Sequence, residues 1–207
     1  MKTMKVGALI FPGFELLDLF GPLEMFGMYP ENFDIRLVAE TGDPVTSSQK
    51  PVSLPDHTFA DGERFDLLLV PGGKGTRQAV NQPVIMEWLQ KQSEIARLIT
   101  SVCTGSALLA QAGILDGRKA TTNKNAFKWV SGFGTEVQWI RQARWVQDGN
   151  IYTSSGVSAG TDMSLAVIAD VLGMDKALQA ADWTEYFWNE DPGNDPFAVK
   201  AGLVPDR

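Results

Sequence analysis

The chain has 207 residues, 44% of them hydrophobic and 21% charged, with a formal net charge of -7. That length suits one well-buried domain spanning residues 1–207, and the acidic balance argues against a nucleic-acid partner, which needs a clustered basic face. No stretch approaches the ~20 apolar residues of a membrane span. The single cysteine cannot close an internal disulfide, so a cytoplasmic protein acting on a small molecule is the expectation.

Lys2 and Lys5 flank the start of an apolar run, Val6 to Phe11, that breaks at Pro12-Gly13 without a small-residue cleavage pattern. It reads as a first strand and not as a signal peptide. A helical pattern follows over Leu16 to Met28. Ile35 to Ala39, Leu67 to Val70 and Leu98 to Val102 are further runs rich in Val, Ile and Leu, separated by helical patterns at Val84 to Gln92 and Gly105 to Ala112. Runs that are apolar on both faces suit a parallel sheet covered by helices on each side. Asp148-Gly149-Asn150, inside Trp145 to Thr153, signals a hairpin. Ala159 to Leu172 and Lys176 to Trp188 read as two closing helices, and Pro192-Gly193-Asn194-Asp195-Pro196 turns the remainder into a packed loop or tail. Strand and helix alternate, so an α/β fold is predicted: a doubly wound, mostly parallel sheet sandwiched by helices, with a small β-hairpin excursion.

In such sheets a site forms at the carboxyl ends of the strands. Three ends converge here: Phe11-Pro12 leading into Asp18, Pro71-Gly72-Gly73, and Ser101-Val102-Cys103-Thr104. Cys103 falls between a strand-type run and a helix-type run, the position of a nucleophile elbow. Strained backbone is expected there, and the following helix N-terminus favours the thiolate, provided that Asp18 is protonated or donates to the sulfur. A buried cysteine acting as a small apolar residue is the alternative. Asp18 sits in an apolar run, where burial raises a carboxyl pKa and suits it to pass protons; it could equally cap a helix or bond loop amides. Gly72 and Gly73 offer amides unobstructed by Cβ atoms that, with the Thr104 amide, could form an oxyanion hole, or the pair could merely serve a tight turn.

Histidine is scarce: His57 lies in a polar segment between early strands and reads as a surface or hairpin residue. A Cys-His dyad needs an imidazole at the thiol, and a structural zinc site needs about four ligands, so neither a protease dyad nor a metal is expected. The six tryptophans read mostly as core or interface anchors. Trp183, Tyr186 and Trp188 could rim a pocket or a dimer contact.

The chain resembles the DJ-1/PfpI superfamily over nearly its full length. The residues that carry the resemblance are Val6 to Glu15 leading to Leu17-Asp18-Leu19-Phe20-Gly21-Pro22, Val70-Pro71-Gly72-Gly73, Ser101 to Ser106, Ala120-Thr121-Thr122, and Ser155 to Asp162. The resemblance implies a flavodoxin-like sheet of the class I glutamine amidotransferase type, and a homodimer. Within the superfamily the motifs look most like isocyanide hydratases and the sensor domains of AraC-type regulators. Those regulators continue into a helix-turn-helix segment that is not found here, so a stand-alone enzyme is expected.

Carried over, the resemblance implies Cys103 as nucleophile, Asp18 as acid/base, Thr104 as a helper at the thiol, and Gly73 with Thr104 as oxyanion-type amides. No cofactor is implied. Two positions depart from relatives that carry histidine: Thr104 directly after the cysteine, and Asn123 after Ala120-Thr121-Thr122, followed by Lys124-Asn125. Chemistry run by Cys and Asp survives these departures. The expected reaction is hydration of an isocyanide to an N-substituted formamide through a thioimidate; the alternatives are a glyoxalase or stress hydrolase acting on dicarbonyls, and a non-catalytic cysteine sensor.

Overall fold

In the computed structural model, which describes residues 2–205, the apolar runs become strands in chain order. β1 (Met4–Leu9) leads through α1 (Leu16–Gly27) to β2 (Phe33–Ala39). The antiparallel pair β3 (Val45–Thr46) and β4 (Val52–Ser53) forms the hairpin excursion, and β5 (His57–Thr58) returns to the sheet. β6 (Leu67–Val70), α2 (Thr76–Ala79), α3 (Pro83–Ser93), β7 (Leu98–Ser101) and α4 (Gly105–Gln111) complete the central alternation. Beyond them come β8 (Lys119–Ala120), α5 (Phe127–Val130) and β9 (Gln138–Trp139), then the hairpin β10 (Trp145–Asp148) and β11 (Ile151–Ser154). α6 (Ala159–Leu172), α7 (Met174–Trp183) and α8 (Phe197–Lys200) close the chain.

The main sheet has seven strands in the order β10-β11-β7-β6-β1-β2-β5. All pairings are parallel except β10 with β11. β6 is Leu-Leu-Leu-Val and is buried at every position, as a strand covered by helices on both faces must be. α6 packs against both α1 and α7, and α4 against both α2 and α3; the sheet and these helices share one contiguous apolar core. The predicted mostly parallel sandwich is the observed one. Among the described residues no helix is long and apolar enough to cross a membrane.

His57 is a surface residue on the edge strand, pairing in β5 with Val38 of β2, its side chain 30% exposed. One expectation needs correction. The last long helix ends at Trp183, not Trp188. Glu185 takes a left-handed φ of 51°, and side chains beyond it are drawn to a buried carboxylate, which ends the helical path.

Candidate active site

The direction of winding reverses between β1 and β6, since β1 is followed outward by β2 and β6 by β7 on the other side. A crevice opens at such a switch point, at the carboxyl ends of the strands. α1 brings Asp18 there from β1, the turn after β6 brings Gly72 and Gly73, and β7 delivers Cys103. β11, parallel to β7, adds the loop Ser155–Ser158 at the same edge.

Cys103 stands at the turn from β7 to α4 with φ at 57°, a left-handed conformation that costs a residue with a Cβ roughly 1–2 kcal/mol. Its backbone is held from several sides. The N–H donates to the carbonyls of Ser154 (3.2 Å) and Ser155 (3.0 Å), and the carbonyl accepts from Thr122 Oγ1 (2.9 Å) and Ser106 Oγ (3.2 Å). The expected strained elbow is present, and Cys103 is 7% exposed.

Asp18 is fully buried. Its Oδ2 accepts from the Gly72 N–H at 2.9 Å, Oδ1 makes no hydrogen bond of ordinary geometry among the described residues, and the Cys103 thiol interacts with the carboxyl. Burial, helped by the charge of Glu15, pushes the carboxyl up to about 8 against the lowering effects of the Gly72 N–H and the thiol. The Asp18 side chain is thus mostly protonated at neutral pH. Burial and the nearby Asp18 charge likewise push the thiol up to about 12, outweighing the Thr104 and Val157 N–H groups and the Asn123 side chain. An activated thiolate in the resting site was expected, and this reverses it: α4 is a short helix whose N-terminal dipole cannot offset removal of the sulfur from water.

The glycines act differently from a free oxyanion hole. The Gly72 N–H is engaged by Asp18, and the Gly73 N–H donates to Thr104 Oγ1 at 3.1 Å. A Cβ on Gly72 would stand 2.5 Å from Thr104 N and 2.8 Å from Asp18 Oδ2, and Gly73 adopts φ 122°, so this turn holds the close approach of Asp18 to the elbow. The Thr104 hydroxyl is likewise turned to the loop, accepting from Thr76 Oγ1 at 3.0 Å; its contact with the sulfur is through the backbone N–H.

Two groups that sequence reasoning did not assign complete the sulfur's surroundings. The Val157 N–H reaches it from a residue with φ at 29°, and the Asn123 side chain reaches it from the opposite loop. Asn123 Oδ1 accepts from the Ala126 N–H at 3.1 Å, which aims the amide nitrogen inward. The signal for Asn123 was its place directly after Ala120-Thr121-Thr122; Val157 contributes only a backbone group, which a side-chain pattern does not mark.

Beside these groups lies a pocket of about 250 Å³ whose lining includes Leu17, Asn123, Lys124, Val157 and Phe197. His57 is on the edge strand, separated from β7 by three intervening strands, and lies 3.7 Å from Asp61. Among the described residues no group of three or more His, Cys, Asp or Glu side chains is placed to hold a metal. Tyr186 and Trp188 point inward: Tyr186 OH donates to Asp162 Oδ1 (3.1 Å) and Trp188 Nε1 to the Asp162 carbonyl (3.1 Å). Asp162 is itself paired with Arg144 at 2.5 Å, a buried contact that ties the C-terminal segment to α6.

Comparison with known proteins identifies the family of this chain. Residues 4–170 match the model of the DJ-1/PfpI family. An isonitrile hydratase of Pseudomonas putida is 33% identical over 202 residues, covering 95% of this chain and 87% of that protein. The Parkinson disease protein 7 homolog of Danio rerio is 29% identical over 142 residues, 66% of this chain and 74% of that one. The crystal structure of a THiJ/PfpI family protein from Pseudomonas syringae superposes with a TM-score of 0.84 at 32% identity, covering 99% of this chain and 86% of its own. The chain belongs to the DJ-1/PfpI family.

Proposed function

We propose that the protein hydrates isocyanides to N-substituted formamides, with Cys103 as nucleophile and Asp18 as acid/base. The observation that carries this reading is a buried carboxyl, held protonated near neutral pH, set against a cysteine on a strained elbow. The resemblance to an isonitrile hydratase over 95% of the chain supports it.

The chemistry follows from the proton inventory. Both groups are neutral at rest, so Asp18 can give its proton to the isocyanide carbon while the sulfur bonds to that carbon and the thiol proton passes to the carboxylate. The product is a thioimidate and a re-protonated Asp18. Water then adds to the thioimidate carbon, the C–S bond breaks, and the formamide leaves with the proton count restored. The N–H groups of Thr104 and Val157 and the Asn123 amide stabilise charge on the departing sulfur, and the covalent route divides one hard hydration into two easier steps. Thr104, Gly72 and Gly73 keep the carboxyl and the elbow in register. Leu17 and Phe20 on α1, exposed at 47% and 42%, support the homodimer that the family resemblance implies.

The test is conversion of cyclohexyl isocyanide to its formamide by purified protein. Cys103→Ala should abolish it, and Asp18→Asn, which keeps shape and removes proton transfer, should lower it by ~10²-fold or more. Efficient consumption of methylglyoxal with isocyanides untouched would replace this reading with dicarbonyl chemistry. Selective oxidation of Cys103 with neither substrate consumed would replace it with sensing.

A further inference from the structure

One wall of the pocket is not required by the reaction just described. Phe197 opens α8 and lines the pocket together with Leu17 and Val157, yet its ring is 51% exposed. A large apolar side chain held half out of the core at a pocket is informative in a way that an isolated surface leucine is not.

The segment carrying Phe197 is held with unusual care. Asp195 Oδ1 accepts from the Phe197 N–H at 3.0 Å, and the Asp195 N–H donates to the Gln142 carbonyl at 2.7 Å. Asp195 is 1% exposed, and its Oδ2 has no hydrogen-bond partner among the described residues; it lies 3.9 Å from Lys124 Nζ. Lys124 is equally buried and donates to Thr121 Oγ1 (2.7 Å) and the Ala143 carbonyl (2.6 Å). It directly follows Asn123, whose side chain reaches the sulfur. A buried ion pair thus links the loop at the sulfur to the segment that bears the aromatic wall. Desolvation makes such a pair a poor source of stability, but it defines relative position sharply. The ammonium is turned to these acceptors.

We propose that Phe197 is a specificity-determining residue that selects bulky aliphatic or aryl N-substituents, and that Lys124 and Asp195 are the positioning pair that sets its ring against the pocket. The identity of the substrate's reactive end rests on the hydratase reading; the selection of an apolar substituent does not. At about 250 Å³ the pocket falls just under the range of about 300–1,000 Å³ typical for drug-sized ligands, which suits one ring-sized group.

Equilibrium binding of the neutral products reads the wall without turnover. By calorimetry on the full chain, N-cyclohexylformamide should bind at least about ten-fold more tightly than N-methylformamide, since each buried methylene contributes about 0.8 kcal/mol. Phe197→Ala should remove most of that preference, Phe197→Leu should retain much of it, and Asp195→Asn should weaken the cyclohexyl ligand while leaving the methyl ligand unchanged. A general structural loss would weaken both ligands. In turnover, Phe197→Ala should raise KM for cyclohexyl isocyanide with kcat little altered. Absence of a preference in the native protein, or a preference that survives Phe197→Ala, overturns the proposal. If native protein shows the preference but produces no formamide, the hydratase reading falls and the wall stands.

Discussion

The carboxyl of Asp18 and the thiol of Cys103 are buried side by side: ionising the carboxyl raises the cost of ionising the thiol, whereas the thiol's hydrogen bond lowers that of the carboxyl. Neither group is poised as an ion. Both groups hold their protons near neutral pH, and this relation governs the response to pH and to substitution that is expected of the site.

The thiol should titrate late. Alkylation of Cys103 by iodoacetamide should keep rising beyond pH 9.0, the ordinary thiol value, because burial holds the thiol up near 12. Asp18→Asn removes a negative neighbour and should move the rate profile to lower pH. A native profile that levels off at or below pH 9.0 contradicts the arrangement.

Stability should carry the signature of Asp18. In the folded chain this carboxyl keeps its proton until about 8, whereas its ordinary value is 3.8. Over that interval the folded state binds more protons than the unfolded state, so stability from this group is complete below 3.8 and is lost as pH rises through about 8. Melting temperatures measured from about pH 5 to about pH 8.5 should fall more steeply for native protein than for Asp18→Asn. Parallel slopes would show that Asp18 does not hold its proton.

Gly72→Ala should cost both stability and activity. The new methyl would meet Thr104 N at 2.5 Å and Thr104 Oγ1 at 2.6 Å, and these are groups that cannot retreat without moving the elbow. We expect a loss of about 2–4 kcal/mol in denaturant unfolding, and a fall in turnover of at least ten-fold in the fraction that remains folded, of the order expected from small displacements at a reacting centre. Unchanged turnover would mean that the register between Asp18 and the elbow is not critical.

Arg144→Met leaves Asp162 buried without its cation. Asp162 also receives the Asn189 N–H at 2.9 Å and the Tyr186 hydroxyl at 3.1 Å, so the loss should loosen the segment beyond α7. Removing one partner of a buried pair costs about 3–5 kcal/mol, and limited proteolysis should cut this variant between Thr184 and Pro196 before any other site. A cleavage pattern like that of native protein would show that the Asp162 contacts do not restrain this segment.

Local pattern was enough for much of this molecule. The fully apolar Leu67 to Val70 run, the alternation of strand and helix, and the cysteine between β7 and α4 foretell a parallel sheet with an elbow, because burial on both faces and chain reversal leave local marks. Those marks also brought Asp18, the turn at Gly72 and Cys103 to one edge. They did not extend to hydrogen-bond assignment: the Gly72 and Gly73 amides looked free, and tertiary packing commits them to Asp18 and Thr104.

The direction of the thiol's pKa was decided only by the tertiary structure. Sequence shows a helix start after Cys103, but the degree of desolvation depends on Asp18 of α1 and the loops at Asn123 and Val157 meeting at the sulfur. The end of α7 at Trp183, the edge pairing of His57, and the links from Lys124 to Asp195 and Arg144 to Asp162 belong to the same class. Each joins elements far apart in the chain, and a buried charge looks in sequence like any exposed one until the fold removes its water.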